Sequence, residues 1–313
     1  METGQQQFNN IPQPKLILIG IKHLRLTGVN TYAITLSRYL REKGHIVHIY
    51  IDDASDCKGY AGEAIKHITK YTSAFYFGIE PEHVYDEVYS NYTDVFEKLH
   101  FYSKLHTFIV HGLHSENYVP PIEADRVICL SKVAYNYIDP PEQVLSVNPV
   151  MNDVFDTFRD INKELKRVLL LDVRNGSKYA AKVKQACEWH NIQFRAVKEQ
   201  DWRIEKQIEW ADLVIGYGRC VIEAATMGRN VIVYGVNGGD GFLDAENFGK
   251  ISERNFSGWE LRSMYPPATL CPLDFWKELR KYDAKTGEHL KQLAKQYNYK
   301  KVLDEITGVF EPA

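Results

Sequence analysis

Cysteine is scarce in this sequence: five among 313 residues, Cys57, Cys129, Cys187, Cys220 and Cys271, none at the spacing of a metal cluster or a redox pair. That excludes the disulfide framework of a small secreted domain, and the odd count fits a reduced, cytoplasmic protein. Long apolar runs are missing as well; none approaches the ~18 residues that mark a membrane span. Met1 to Asn10 is polar and Gln-rich, without the charged-then-apolar order of a secretory leader. Positive charge is not in excess, since 38 Lys plus Arg face 41 Asp plus Glu for a formal charge of −3, and neither half of the chain is strongly cationic. Without that field, neither a nucleic acid nor a membrane surface is expected as a partner.

What the chain does have is length and apolar content: 313 residues, 44% hydrophobic, enough for two packed cores. Lys15 to Gly20, KLILIG, has the apolar run and glycine stop of a buried strand. After a loop through Gly28, Val29, Tyr32, Ala33, Leu36 and Leu40 recur at helical spacing up to Gly44, a residue suited to a helix C-cap. Ile46 to Ile51 is the next strand. Strand, loop, helix and strand make a βαβ unit, whose crossover implies a parallel sheet covered on both faces. The same grammar returns at Arg167–Leu171, Tyr179–His190 and Ile192–Val197, and again at Leu213–Gly216, Arg219–Met227 and Val231–Tyr234. The polar, charged stretch from Asn152 to Lys166 reads as a connection between two such halves, with the boundary near Asp160.

Several places in this pattern suit chemistry. The turn Gly216-Tyr217-Gly218 leads from a strand into a helix whose first free N–H groups form an anion site, with Arg219 at its start. Glu223, four residues on, is placed to accept hydrogen bonds from ribose hydroxyls; an ordinary surface ion pair between Arg219 and Glu223 is the plain alternative. GVNGGDG, at Gly235–Gly241, holds Gly238 and Gly239 in what reads as a loop that lets backbone approach a phosphate, or as a simple flexible turn. Arg174 and Lys178, in DVRNGSK, could clamp a diphosphate with charge-assisted bonds. TFIVH delivers His111, and beyond it His114, to a strand's carboxyl end, where ligands of open α/β sheets bind. Asp52 and Asp53 read as a solvated strand end and not as a metal pair, so no metal site is expected.

With these residues in view, the chain resembles the two-domain GT-B glycosyltransferases, in particular the glycogen-synthase-like retaining class that uses nucleotide sugars. ADLVIGYGRCVIEAATMGRNVIVYG is similar to that class's strand, small-residue turn, "EA" helix and "MG" strand. ADRVICLSKVAYNYI followed by VLSVNPVMNDVF is similar to its end of the first domain and interdomain hinge. The resemblance implies an α/β fold of two Rossmann-like βαβ domains facing each other across a cleft. A tail over 1–13 would precede an acceptor-side domain over 14–160 and a donor-side domain over 161–272. Helices over 273–313 would pack back on the first domain. It implies further that Glu223 binds the donor ribose, Gly28 lies near the donor phosphate, His111 faces the reacting sugar, and Arg174 and Lys178 neutralise the leaving diphosphate.

The implied activity is transfer of a sugar from a nucleotide-sugar donor to an unidentified acceptor, retaining and metal-independent, with the donor as substrate and no further cofactor. One position departs from the class, which often has a glutamate eight residues before the helix glutamate; Ile215 stands there. Backbone donors at Tyr217–Gly218 or at Gly238–Gly239 would have to serve instead. The departure keeps open a catalytically silent protein that binds a sugar nucleotide or a partner; a nucleotide-sugar epimerase, which shares the two-domain cleft, is the rival enzyme expectation.

Overall fold

The computed structural model describes residues 13–25, 27–53, 61–112, 120–139, 142–156, 160–171, 177–197, 201, 203–235, 238–258 and 271–310. The first βαβ unit is β1 (Leu16–His23), α1 (Gly28–Glu42) and β2 (Ile46–Asp53). Ile17, Leu18 and Ile19 of β1 are fully covered, as the unbroken apolar run demands of a strand with layers on both sides. Each such side chain contributes roughly 1.5–3 kcal/mol before chain entropy is set against it. The Thr27 hydroxyl caps α1 by accepting from Asn30 N (3.3 Å), and the helix stops where Gly44 turns left-handed at φ +90°.

The first sheet is completed by α2 (Ala61–Thr69), β3 (Ala74–Phe77), β4 (Glu87–Ser90), α3 (Thr93–Leu99), β5 (His106–Val110), β6 (Arg126–Cys129), α4 (Lys132–Tyr137) and β7 (Gln143–Leu145). Its seven strands run parallel in the order β3-β2-β1-β4-β5-β6-β7. The order reverses between β1 and β4, which opens a crevice at their carboxyl ends. The Tyr-rich stretch from Tyr60 to Tyr102, which carries no recognisable motif, holds two helices and two strands of four residues. Four residues are too few for a period to show in sequence.

The second sheet comes from β8 (Arg167–Leu171), α5 (Ser177–Glu188), β9 (Gln193–Val197), α6 (Ile204–Trp210), β10 (Leu213–Gly216), α7 (Arg219–Thr226), β11 (Asn230–Gly235) and β12 (Gly238–Phe242). The order is β12-β11-β10-β8-β9, with β12 antiparallel at the edge and its own reversal between β8 and β10. Here the structure corrects the sequence reading, because Gly238 and Gly239 lie buried in a strand and not in an open loop. Their role is contact: a Cβ on Gly239 would stand 2.3 Å from the Tyr234 ring and 2.8 Å from the Val233 carbonyl oxygen.

After these come α8 (Phe248–Ser252), α9 (Pro272–Leu279), α10 (Ala284–Ala294) and α11 (Tyr299–Phe310). α9 packs on α5 and β12, and α10 on α7 and β11, so both stay with the second sheet. α11 returns to the first, where Tyr299, Val302, Leu303 and Ile306 join the core beneath α1. The two crossings between halves pair with each other: Val150 N donates to Tyr297 O (2.7 Å) and Tyr299 N to Val150 O (3.1 Å).

Candidate functional site

Both reversal points place strand ends at one interface. From the second sheet, β10 ends at Gly216, and two residues later α7 begins at Arg219. Gly218 precedes that helix at φ +65°, ψ −137°, a conformation essentially closed to residues with a side chain. It also leaves the first turn of α7 without a side-chain cap, so the helix presents its N–H groups and the positive end of its dipole uncapped.

Arg219 is 7% exposed and Glu223 6% exposed, so their pairing is internal and not the surface pair considered as the plain alternative. Arg219 Nε donates to Glu223 Oε1 (2.8 Å), and Nη2 reaches across to the first half, donating to Thr35 Oγ1 of α1 (3.0 Å). Nη1 is buried with no hydrogen-bond partner among the described residues. Burial pushes the Glu223 carboxyl above its ordinary pKa; the Arg219 charge opposes that shift without cancelling it. A cationic group with a spare donor, a carboxylate beside it and an uncapped helix start together suit an anionic ligand that also carries hydroxyls.

From the first sheet, β5 delivers His111 to the same region. Its ring stands edge-on to Tyr32 of α1 at 5.2 Å between centroids, and its Nε2 lies 2.6 Å from Asn91 Oδ1, just past the end of β4. The Asn91 amide is oriented by donation from Nδ2 to the Gly20 carbonyl (3.4 Å), so its oxygen faces the imidazole and Nε2 carries the proton. Burial, aided by the Arg219 charge, lowers the His111 pKa to about 3, which keeps the ring neutral with Nδ1 as an acceptor. Tyr32 is fully covered, its hydroxyl has no partner among the described residues, and burial raises its pKa.

The structure therefore brings Gly218, Arg219, Glu223 and His111 to one interface. Gly28 is exposed at the first turn of α1, the helix that carries Thr35 and Tyr32. Gly238 and Gly239 lie in the edge strand β12, with Gly238 opposite Gly235. Arg174 and His114 lie outside the described residues, and Lys178 is described only as part of the α5 backbone. Ile215 is fully buried in β10 and packs into the apolar cluster with Val168 and Leu170, so that position faces a core and not the cleft. Asp52 is not the solvated strand end expected: its side chain is 9% exposed and pairs with Lys98 Nζ at 2.5 Å. Among the described residues no group of three or more His, Cys, Asp or Glu is placed to hold a metal ion. Sequence reasoning missed Thr35, Asn91 and the polar end of Tyr32. Tyr32 and Thr35 sit on α1, whose sequence signal is core packing, and Asn91 lies just past β4; it is the second half's approach that brings Thr35 to Arg219.

No protein-family model matches this chain, and no curated protein matches it. Among solved structures it is similar to a glycosyltransferase from Rickettsia africae ESF-5, at 14% identity over 96% of this chain and 98% of that one, with a TM-score of 0.60. It is similar also to a point mutant of S. aureus TarM, solved with fondaparinux, alpha-GlcNAc-glycerol and UDP, at 12% identity over 95% and 100% of the two chains and a TM-score of 0.59. A UDP-N-acetylglucosamine 2-epimerase matches at 11% identity over 95% and 96%, with a TM-score of 0.50. Identities this low speak to architecture, and the architecture is the GT-B fold of two Rossmann-like domains.

Proposed function

We propose that this chain, a GT-B protein, transfers a sugar from a nucleotide-sugar donor to an acceptor. The observation that carries the reading is Arg219, a buried guanidinium whose Nη1 has no hydrogen-bond partner among the described residues, at a helix start without a side-chain cap between the two halves. The donor diphosphate would sit at that start. Arg219, with Arg174 and with Lys178 of α5, would stabilise the charge that builds on the leaving group as the glycosidic bond breaks. Protein cations, and no metal, would carry that charge. Glu223 would accept from the ribose hydroxyls through the oxygen that Arg219 leaves open.

His111 would hold a sugar hydroxyl through Nδ1; with its pKa near 3 it is a positioning acceptor and too weak a base to remove a hydroxyl proton efficiently. Closure of the halves would exclude the water that hydrolyses the donor. Retention of anomeric configuration is carried by the resemblance alone. The test is nucleoside-diphosphate release from a panel of nucleotide sugars by the wild type and by the Glu223→Ala and His111→Ala variants. Both should turn over at least tenfold more slowly, about the loss of one good polar contact to the reacting complex; undiminished turnover in both removes this site.

A second reading, a nucleotide-sugar epimerase, is supported by the likeness to the epimerase structure. An epimerase converts its donor when no acceptor is present, so product analysis without acceptor separates the two. Donor binding with no turnover under either condition points to a silent binding protein.

A further inference from the structure

We propose that the turn Glu253–Phe256 positions the start of α7, and that contacts from the first half set this turn; the proposal rests on the reading of that start as the diphosphate site. Asn255 and Phe256 are consecutive left-handed residues, at φ 55° and 53°. For Asn255 that is ordinary, since asparagine tolerates this region and here follows the end of α8 as a cap, with Phe256 N reaching back to Ile251 O (3.2 Å). Phe256 is different. It is bulky and fully buried, its ring packed on Phe248 and Tyr297 at 5.2 and 6.1 Å between centroids. A left-handed backbone at such a residue costs free energy and persists only where its surroundings over-determine it.

What the conformation achieves is delivery of the Phe256 carbonyl to Gly218, whose N–H donates to it at 2.7 Å immediately before α7. The far side of the turn is held by the first half. Lys132 N donates to Glu253 O (3.0 Å), Lys132 Nζ pairs with Glu253 Oε1 (2.9 Å), and Asn148 Nδ2 donates to Asn255 Oδ1 (2.8 Å). Both side chains of the Lys132–Glu253 pair are half-exposed, so that ion pair adds little. Asn148 is buried, and its bond is the stronger constraint. Beside the turn, a cavity of about 400 Å³ lined in part by Ser146, Val147, Glu253, Asn255 and Tyr297 leaves room for it to relax.

The chain of contact therefore runs Asn148, Asn255, Phe256, Gly218. With the halves together the turn is held and the helix start is fixed for an anion; with them apart the turn loses its support and the start loses its anchor. Closure and anion binding then reinforce each other through one element with two arrangements.

The test uses the full chain and two readouts, amide exchange at Gly218 without ligand and calorimetric binding of UDP, GDP and ADP. In Asn148→Ala, Gly218 should exchange roughly tenfold faster while amides within β10 keep their rates, and diphosphate affinity should fall roughly tenfold, the loss expected for one buried neutral hydrogen bond. Should Asn148→Ala not fold, Asn255→Ala breaks the same bond from the half-exposed side. Unchanged Gly218 exchange in the alanine variant, or exchange that rises within β10 as much as at Gly218, overturns the coupling. If exchange responds as stated and the wild type binds none of the three diphosphates, the coupling stands and the diphosphate reading falls.

Discussion

Glu223 carries two opposing influences, a guanidinium at 2.8 Å that favours its charged form and burial that disfavours it, and burial prevails. A carboxyl whose pKa is higher in the folded than in the unfolded chain binds more protons when folded. Its contribution to stability therefore falls as pH rises from the ordinary carboxylate range through the raised value. Glu223→Gln keeps an oxygen for Arg219 Nε and cannot ionise, so it should unfold within about 1 kcal/mol of the wild type, with a flatter pH profile above the ordinary carboxylate range. Glu223→Ala leaves the guanidinium buried without its acceptor and should lose roughly 3–5 kcal/mol. Urea unfolding of both variants across that pH range checks the pair of expectations. The spacing of Arg219 and Glu223 is visible in sequence, but their burial is not, because it depends on α1 covering them from the other half.

The start of α7 shows how an element's placement constrains single positions. Gly218 has open space where a Cβ would go, so the cost of Gly218→Ala is in the backbone, about 1–3 kcal/mol for forcing a side chain into φ +65°, ψ −137°. Gly28 also has open space but sits in ordinary helical geometry at the first turn of α1, so Gly28→Ala should be neutral or slightly stabilising. Thermal unfolding of the two variants distinguishes them, and only Gly218→Ala should also weaken nucleoside-diphosphate binding. The long periodic elements were readable in the chain: α1 from Val29 to its stop at Gly44, and β8, β10 and β11 as apolar runs. β3, β4 and β12 were not. The first two are too short to show a period, and β12 is rich in glycine, which ordinarily marks loops and here marks close contact with the Tyr234 ring.

Across the two halves, stability depends on groups distant in sequence. His106, stacked on Phe96 and 3.0 Å from Ser90 Oγ, is like His111 held neutral by burial, each with its pKa lowered to about 3. The unfolded chain takes up these protons near pH 6.5 and the folded chain does not. Stability is therefore complete above that value and lost as pH falls from about 6.5 toward 3. Chemical unfolding should show a midpoint that drops steeply over this window, and His106→Gln should make the slope shallower. α11 supplies a second test. Leu303 is 1% exposed in the core under α1, so Leu303→Ala should destabilise the first half by roughly 2–5 kcal/mol, read as faster amide exchange in β1 and β2.

Hydrophobic period, cap residues and the repeated βαβ grammar are local properties, and from them the sequence by itself determined the α/β class, two halves and the turn that opens α7. Which side chains meet was decided only in three dimensions. Thr35 on Arg219, Asn91 on His111 and Asn148 on Asn255 are contacts between segments separated by 20 to 184 residues. The first and third depend on how two sheets and a returning helix dock, and the second on β4 and β5 lying side by side in the first sheet. Docking is a sum over whole surfaces, so no window of sequence contains it.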